Sequence, residues 1–160
     1  MTKKTLTKLV ALLGFILLPQ MVGIGSGLLT ASSIASWYSQ IIKPSFTPPS
    51  FVFGPIWTVL YLLMGISSYL IWQKRNKHTI STSKVLYISQ LILNFAWSIL
   101  FFGFHNPFIA FVDIVLLWGL IVSMIYAFYK VDKKAAFLQF PYALWVSYAS
   151  VLNLYIVILN

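Results

Sequence analysis

The sequence predicts an all-α integral membrane protein, a bundle of five transmembrane helices with its N-terminus inside and its C-terminus outside, on three observations. Of 160 residues, 60% are hydrophobic and only 8% charged, against about 25% charged in a soluble globular domain. Eleven Lys and Arg with two Asp cannot cover the surface that a soluble chain of this size shows to water. Five mostly apolar runs lie between charges and turn signals, each near the about 20 residues that cross a hydrocarbon core about 30 Å thick. When these runs alternate in direction, the cations gather on one face.

The first run, Leu9 to Leu29, follows Lys3 and Lys4 and precedes the small residues Ala31 and Ser33, as a signal peptide would. It is too long for a signal-peptide core and no A-x-A site ends it, so it reads as a span. Gly23 and Gly27 give a small-xxx-small spacing that lets another backbone approach, within the bundle or across a dimer. Residues 30–51 form one long connection rich in Ser, Pro and aromatics. Pro44, Pro48 and Pro49 fix backbone angles there, which makes either a stiff cover for a pocket mouth or a passive connector. The second run, Val52 to Trp72, sets Trp57, Tyr61 and Ser68 on one helical face. The third, Val85 to Gly103, carries Gln90, Asn94 and Ser98 at steps of four, beside Trp97. The fourth, Phe108 to Phe128, holds Asp113, and the fifth, Ala136 to Leu159, sets Tyr142, Trp145, Ala149 and Asn153 on one face. Together the runs occupy most of the chain and leave residues 1–160 as a single membrane domain.

Orientation follows from the basic residues. Lys3, Lys4, Lys8, Lys74, Arg75, Lys77, Lys84, Lys130, Lys133 and Lys134 share the N-terminal side, and Lys43 alone lies opposite. That bias places the N-terminus inside and the first loop outside, in a bacterial cell membrane. The net charge of +9 is therefore an orientation signal, and the scattered placement of its cations excludes a nucleic-acid partner.

Counting the rise of each helix from the outer face puts Trp57, Tyr61, Asn94, Trp97, Ala149 and Asn153 between about 8 and 15 Å down, and Trp145 at about 21 Å. Indole, phenol and amide groups then wall a cavity in the outer half of the bundle, opening beneath the long loop, with Ala149 leaving space. Such a cavity suits a flat, largely apolar ligand with a few polar edges. Asp113 admits two readings: a structural tie from the fourth helix to Ser98, the Trp97 indole or a backbone group, or a proton-relay or ligand contact. Trp37, Trp72 and Trp118 read as interface or packing residues. With no Cys, two His and two Asp, metal cages and most catalytic constellations are excluded; His78 and His105 have no second ligand nearby, though His105 has the chemistry of an axial haem ligand.

The loop and second helix carry Trp37-Tyr38, Lys43-Pro44-Ser45-Phe46-Thr47-Pro48-Pro49, Gly54-Pro55-Ile56-Trp57 and Leu60-Tyr61-x-x-Met64-Gly65. Downstream follow Asn94-x-x-Trp97-Ser98 with Phe101-Phe102, Ala110-x-x-Asp113, Pro141-Tyr142-x-x-Trp145 and Leu152-Asn153. In order and spacing, over about Gly14 to Asn153, this resembles the TspO/MBR family of tryptophan-rich sensory proteins. The resemblance implies a five-helix membrane bundle, a homodimer, that binds porphyrins such as protoporphyrin IX and haem, and synthetic isoquinoline or benzodiazepine ligands. By position it implies a ligand pocket made of Tyr38, Trp57, Tyr61, Asn94, Trp97, Trp145 and Ala149, with no required cofactor. It also implies light-dependent porphyrin breakdown involving Tyr38 and Trp145. Two departures stand out: no cation follows Leu154-Tyr155, which removes the family's cholesterol pattern, and Phe46 replaces a common Trp.

Three functions remain open on the sequence. The first is a receptor or carrier whose cavity binds a tetrapyrrole for sensing or transport. The second is a light-dependent porphyrin-degrading enzyme in which the protein supplies positioning and redox-active indoles. The third is a structural or partner-binding membrane subunit in which the aromatics only pack. Proton-coupled pumping has little support, since Asp113 is the single acid within a span and no internal repeat is evident.

Overall fold

The structure, a computed structural model, describes residues 3–74 and 77–160. Arg75 of the charge pattern, and the side chains of Lys4, Lys77 and His78, lie outside the described residues. The chain is helical throughout, with no strand among the described residues. Helix α1 is Lys3–Ala35, α2 Trp37–Gln40, α3 Ser50–Lys74, α4 Lys77–Ser98, α5 Pro107–Val131, α6 Lys133–Phe137 and α7 Phe140–Leu159. Among the described residues five segments are long and apolar enough to cross a membrane: one each in α1, α3 and α5, one formed by α4 with the turn that extends it, and one by α6 with α7.

The spans match the apolar runs, and their ends differ for identifiable reasons. Helix α1 passes Leu29 and continues to Ala35 because its small polar residues satisfy themselves within it: Thr30 Oγ1 donates to Ser26 O at 2.8 Å. The connection expected over residues 30–51 therefore shrinks, and part of the remainder winds into α2. Helix α4 ends in a widened π turn, Ile99–Gly103, in which Phe104 N donates to Ile99 O at 2.8 Å and Asn106 N to Leu100 O at 3.1 Å. Such turns re-aim consecutive side chains and recur at functional sites. Helix α5 then starts with Pro107, which needs no amide partner, and the Asn106 side chain accepts from Ile109 N at 3.0 Å.

Packing runs from α3 to α1, from α1 to the end of α4, from α4 to α5 and from α5 to α7. The ring closes where aromatic side chains of α3 and α7 meet, Phe53 against Trp145 with ring centroids at 5.8 Å and Trp57 against Tyr142 at 6.2 Å. Helices α1 and α3 approach closely at one point. Pro19 lacks an amide hydrogen, so the carbonyl four residues earlier, Phe15 O, loses its helical donor. Gly65 faces that point: a Cβ there would lie 2.7 Å from Phe15 O and 2.6 Å from Ile16 Cα.

At the centre, polar groups satisfy one another across three helices. Tyr61 OH donates to Asn94 Oδ1 at 2.6 Å, Asn94 Nδ2 to Tyr142 OH at 3.1 Å, and Tyr142 OH to Gln90 Oε1 at 2.9 Å. Tyr142 is 1% exposed, and Leu60, Met64, Leu91, Leu117 and Val146 fill the apolar core around this chain. One step nearer the loop, Trp97 Nε1 donates to Asn153 Oδ1 at 3.0 Å while Asn153 Nδ2 donates to Pro107 O at 2.8 Å, tying α4, α5 and α7.

At the opposite end Asp132 caps α6, accepting from Lys134 N at 2.8 Å and Ala135 N at 3.2 Å, and pairs with Lys74 at 3.5 Å. Desolvation works to raise its pKa, but the two amide donors and Lys74 outweigh it and hold the carboxyl below its ordinary value. A depressed native pKa adds stability above the unfolded value, and that stability is lost as pH falls through the native one. Asp132→Ala should therefore lower thermal stability at neutral pH by about 0.5–2 kcal/mol. In melts taken down a pH series, wild type should approach the variant below the ordinary carboxylate range; a gap that persists there would assign the loss to packing.

Candidate functional site: an aromatic cavity beneath the loop

The end of the bundle nearest α2 encloses a cavity of about 340 Å³, within the about 300–1,000 Å³ of small-molecule sites. Its wall is built from five directions, one of them α1. Helix α3 supplies Phe53, Trp57 and Tyr61; the end of α4 supplies Trp97 and Ser98, and its π turn Phe101 and Phe102. Helix α7 supplies Trp145, Ala149 and Asn153, and α2 lowers Tyr38 over the top. The π turn explains how two consecutive phenylalanines serve one wall: the Tyr38 ring meets Phe101 at 6.1 Å and Phe102 at 5.4 Å.

The rings lie in fixed arrangements. Trp57 stacks on Tyr61 with centroids 5.3 Å apart, and Trp97 on Phe101 at the same separation. Tyr61 is held by its bond to Asn94, so the wall has a polar anchor behind it. Burial first, and the Tyr148 phenol second, push the Tyr38 hydroxyl above its ordinary pKa. The Trp145 Nε1 is buried without a hydrogen-bond partner. An indole N–H in that state is a donor for an acceptor atom on a bound molecule.

Of the residues singled out from the sequence, Tyr38, Trp57, Tyr61, Trp97, Ser98, Trp145 and Ala149 line this cavity. Asn94 does not; it stands behind the wall between Tyr61 and Tyr142. Asp113 is on α5, 8% exposed, and its Oδ2 has no hydrogen-bond partner. Of the partners expected for Asp113, which were Ser98, the Trp97 indole or a backbone group, the Trp97 indole donates instead to Asn153 from α7. Trp37 stacks on His105 with centroids 4.7 Å apart, Trp118 Nε1 donates to Ser147 Oγ at 2.7 Å, and Trp72 packs on Phe15 and Tyr69. None of the three lines the cavity, and neither does His105. Among the described residues no three His, Asp or Glu side chains converge as a metal site would require.

The sequence reading missed the whole α1 wall. Gln20, Gly23, Ser26, Gly27, Thr30 and Ile34 all face the cavity. The signal was present, since Gly23, Ser26, Gly27 and Thr30 repeat at steps of three and four, the spacing of one helical face. Gly23 also decides between the two readings of its motif: a Cβ there would run into the Tyr61 ring, so this glycine serves packing within the bundle.

The model of the TspO/MBR family matches residues 15–159, which takes in every wall of the cavity. The chain is 42% identical over 140 residues to the tryptophan-rich protein TspO of Archaeoglobus fulgidus, covering 87% of this chain and 90% of that protein. It is 40% identical over 140 residues to its namesake in Chlorobaculum tepidum, covering 87% and 89%. It is also 37% identical over 143 residues to the translocator protein of Bos taurus, covering 88% and 84%. Five membrane-spanning segments, an aromatic cavity that gathers the tryptophan-rich motifs, and similarity over most of the chain lead to one assignment: this integral membrane protein belongs to the TspO/MBR family.

Proposed function

We propose that the protein is a membrane receptor or carrier for a flat, largely apolar ligand of the tetrapyrrole class, bound in the cavity between α1, α3, α4 and α7. One observation carries this reading: Trp57, Trp97, Trp145, Tyr38, Tyr61 and Phe101 converge from separate helices on one cavity rather than packing against each other alone. Aromatic walls stack on a macrocycle, and the few polar groups at the edge, the Trp145 N–H among them, meet its polar substituents. The cation bias supports setting the cavity end away from the Lys-rich face. The same wall would accept flat synthetic heterocycles. A second reading, light-driven breakdown of the bound pigment, draws on the three indoles of that wall as electron donors.

The test is a protoporphyrin IX titration of the detergent-purified protein in the dark, followed by tryptophan quenching. Wild type should saturate. Ala149→Phe, which fills the space beside Trp145, should weaken binding by at least about tenfold, and Trp145→Phe should weaken it less. Linear quenching, alike in all three proteins, would leave the aromatics as packing residues and end this reading. Illuminating the same samples separates the second reading, which requires pigment loss that depends on light and on Trp145.

A further inference from the structure

The segment over the cavity is fastened down. Asn160 Nδ2 donates to Ile42 O at 3.0 Å, and Asn160 Oδ1 accepts from Ile42 N at 3.0 Å, a two-point clasp from the end of α7. Tyr148 OH donates to Phe46 O at 2.7 Å. Lys43 Nζ donates to Tyr38 O at 2.6 Å and lies 4.7 Å from the centroid of the Tyr38 ring. The Trp37 stack on His105 pins α2 to the turn between α4 and α5. A loop held at so many points forms a roof, in keeping with the stiff cover expected of its prolines.

The flank differs. Along the antiparallel seam of α1 and α3, contact is closest where Gly65 meets Ile16 and where Gly23 meets Tyr61. Between them Gln20 Nε2 donates to Thr58 O at 2.9 Å. About three turns beyond the Gly65–Ile16 contact, the same register brings Gly27 level with Gly54. Both glycines line the cavity, yet a Cβ on either would meet no atom within 4 Å. Their lining neighbours Ile24, 61% exposed, and Thr58 are also open to the surroundings. Space is open at both glycines, and they sit on two helices long and apolar enough to span a membrane, so an opening between them would give onto lipid.

We infer that ligand enters and leaves the cavity sideways, from the lipid, through the gap between α1 and α3 at Gly27 and Gly54. The inference rests on the cavity being the ligand site proposed above. It narrows the ligand to an amphiphile that partitions into the bilayer, because a water-borne molecule would meet the roof. The absence of side chains at Gly27 and Gly54 sets the width of what passes, and the Gln20–Thr58 bond is the sill of the opening.

The chain has no cysteine, so a Gly27→Cys, Gly54→Cys pair can be bridged selectively with a reducible bis-maleimide. Protoporphyrin IX, preloaded into phosphatidylcholine vesicles, is mixed with the protein in matching proteoliposomes, and tryptophan quenching is followed in time. Bridging should slow both association and release by at least about tenfold, reductive cleavage should restore both rates, and Asn160→Ala, which removes the clasp from α7 and loosens the roof, should leave them unchanged. The unbridged and the reductively cleaved pair are the references for the bridged form, and saturable binding by both controls for folding. Saturable binding with rates indifferent to the bridge but raised by Asn160→Ala would overturn the lateral route and place the entrance under the loop. Unsaturable quenching by wild type would overturn the ligand assignment and the route together.

Discussion

Gly65→Ala should cost the protein about 1–3 kcal/mol of stability, and Gly65→Val more, because the added carbon meets backbone rather than a side chain that can turn aside. Its nearest neighbours would be Ile16 Cα at 2.6 Å and Phe15 O at 2.7 Å. To make room, α1 must draw away from α3, which loosens the seam carrying the Gln20–Thr58 bond and the Gly23–Tyr61 contact. In a membrane, helices associate through such close packing, since lipid is as apolar as the faces that meet. Gly119→Ala is the control, having nothing within 4 Å of its would-be Cβ, and should stay within about 0.5 kcal/mol of wild type. Thermal unfolding in detergent, followed by circular dichroism, compares the three. A Gly65→Ala protein as stable as Gly119→Ala would show that α1 is free to shift and that this seam does not position the cavity wall.

Asn94→Leu should destabilise the bundle by about 1–3 kcal/mol and weaken ligand binding at the same time. Hydrogen bonds between transmembrane helices average about 0.6 kcal/mol with a maximum near 1.7. Asn94 makes two, and its loss also strands the hydroxyl of Tyr61 and one bond of Tyr142. The effect on binding comes through Tyr61, whose ring forms cavity wall on one side and depends on Asn94 for its position on the other. Tyr142→Phe breaks the same chain at its next link, leaving Gln90 Oε1 without its donor. Because the groups share one network, Asn94→Leu with Tyr142→Phe should be less destabilising than the two single losses added together. Full additivity in that double-mutant cycle would mean that the bonds act independently, and unchanged porphyrin affinity in Asn94→Leu would mean that Tyr61 is held by its stack on Trp57 alone.

Several features of the site were legible before any coordinate. The Asn94–Trp97 and Tyr142–Trp145–Ala149 spacings put those residues on inward faces, and depth counting placed all but Trp145 in the same half of the bundle. Trp145 lines the cavity with them nonetheless, its ring 5.8 Å from that of Phe53 on α3. Asn153 was seen as one more inward polar group, but its partners Trp97 and Pro107 lie on other helices at separations that no local pattern encodes. The strapping of the loop was likewise invisible: Asn160 and Ile42 are far apart in sequence and meet only when α7 stands beside the connection.

The sequence by itself determined the solvent, the number of spans and the inward faces, because hydropathy and helical period are local properties that each segment carries alone. Tertiary structure decided which faces meet, that α1 completes the cavity, and that hydrogen bonds from α7 fasten the loop beside it. Those outcomes depend on the register between antiparallel helices. That register is set by a few close contacts, Gly65 on Ile16 and Gly23 on Tyr61, whose consequences appear several turns away. A cavity is the space such contacts leave unfilled, and it has no local sequence signal of its own.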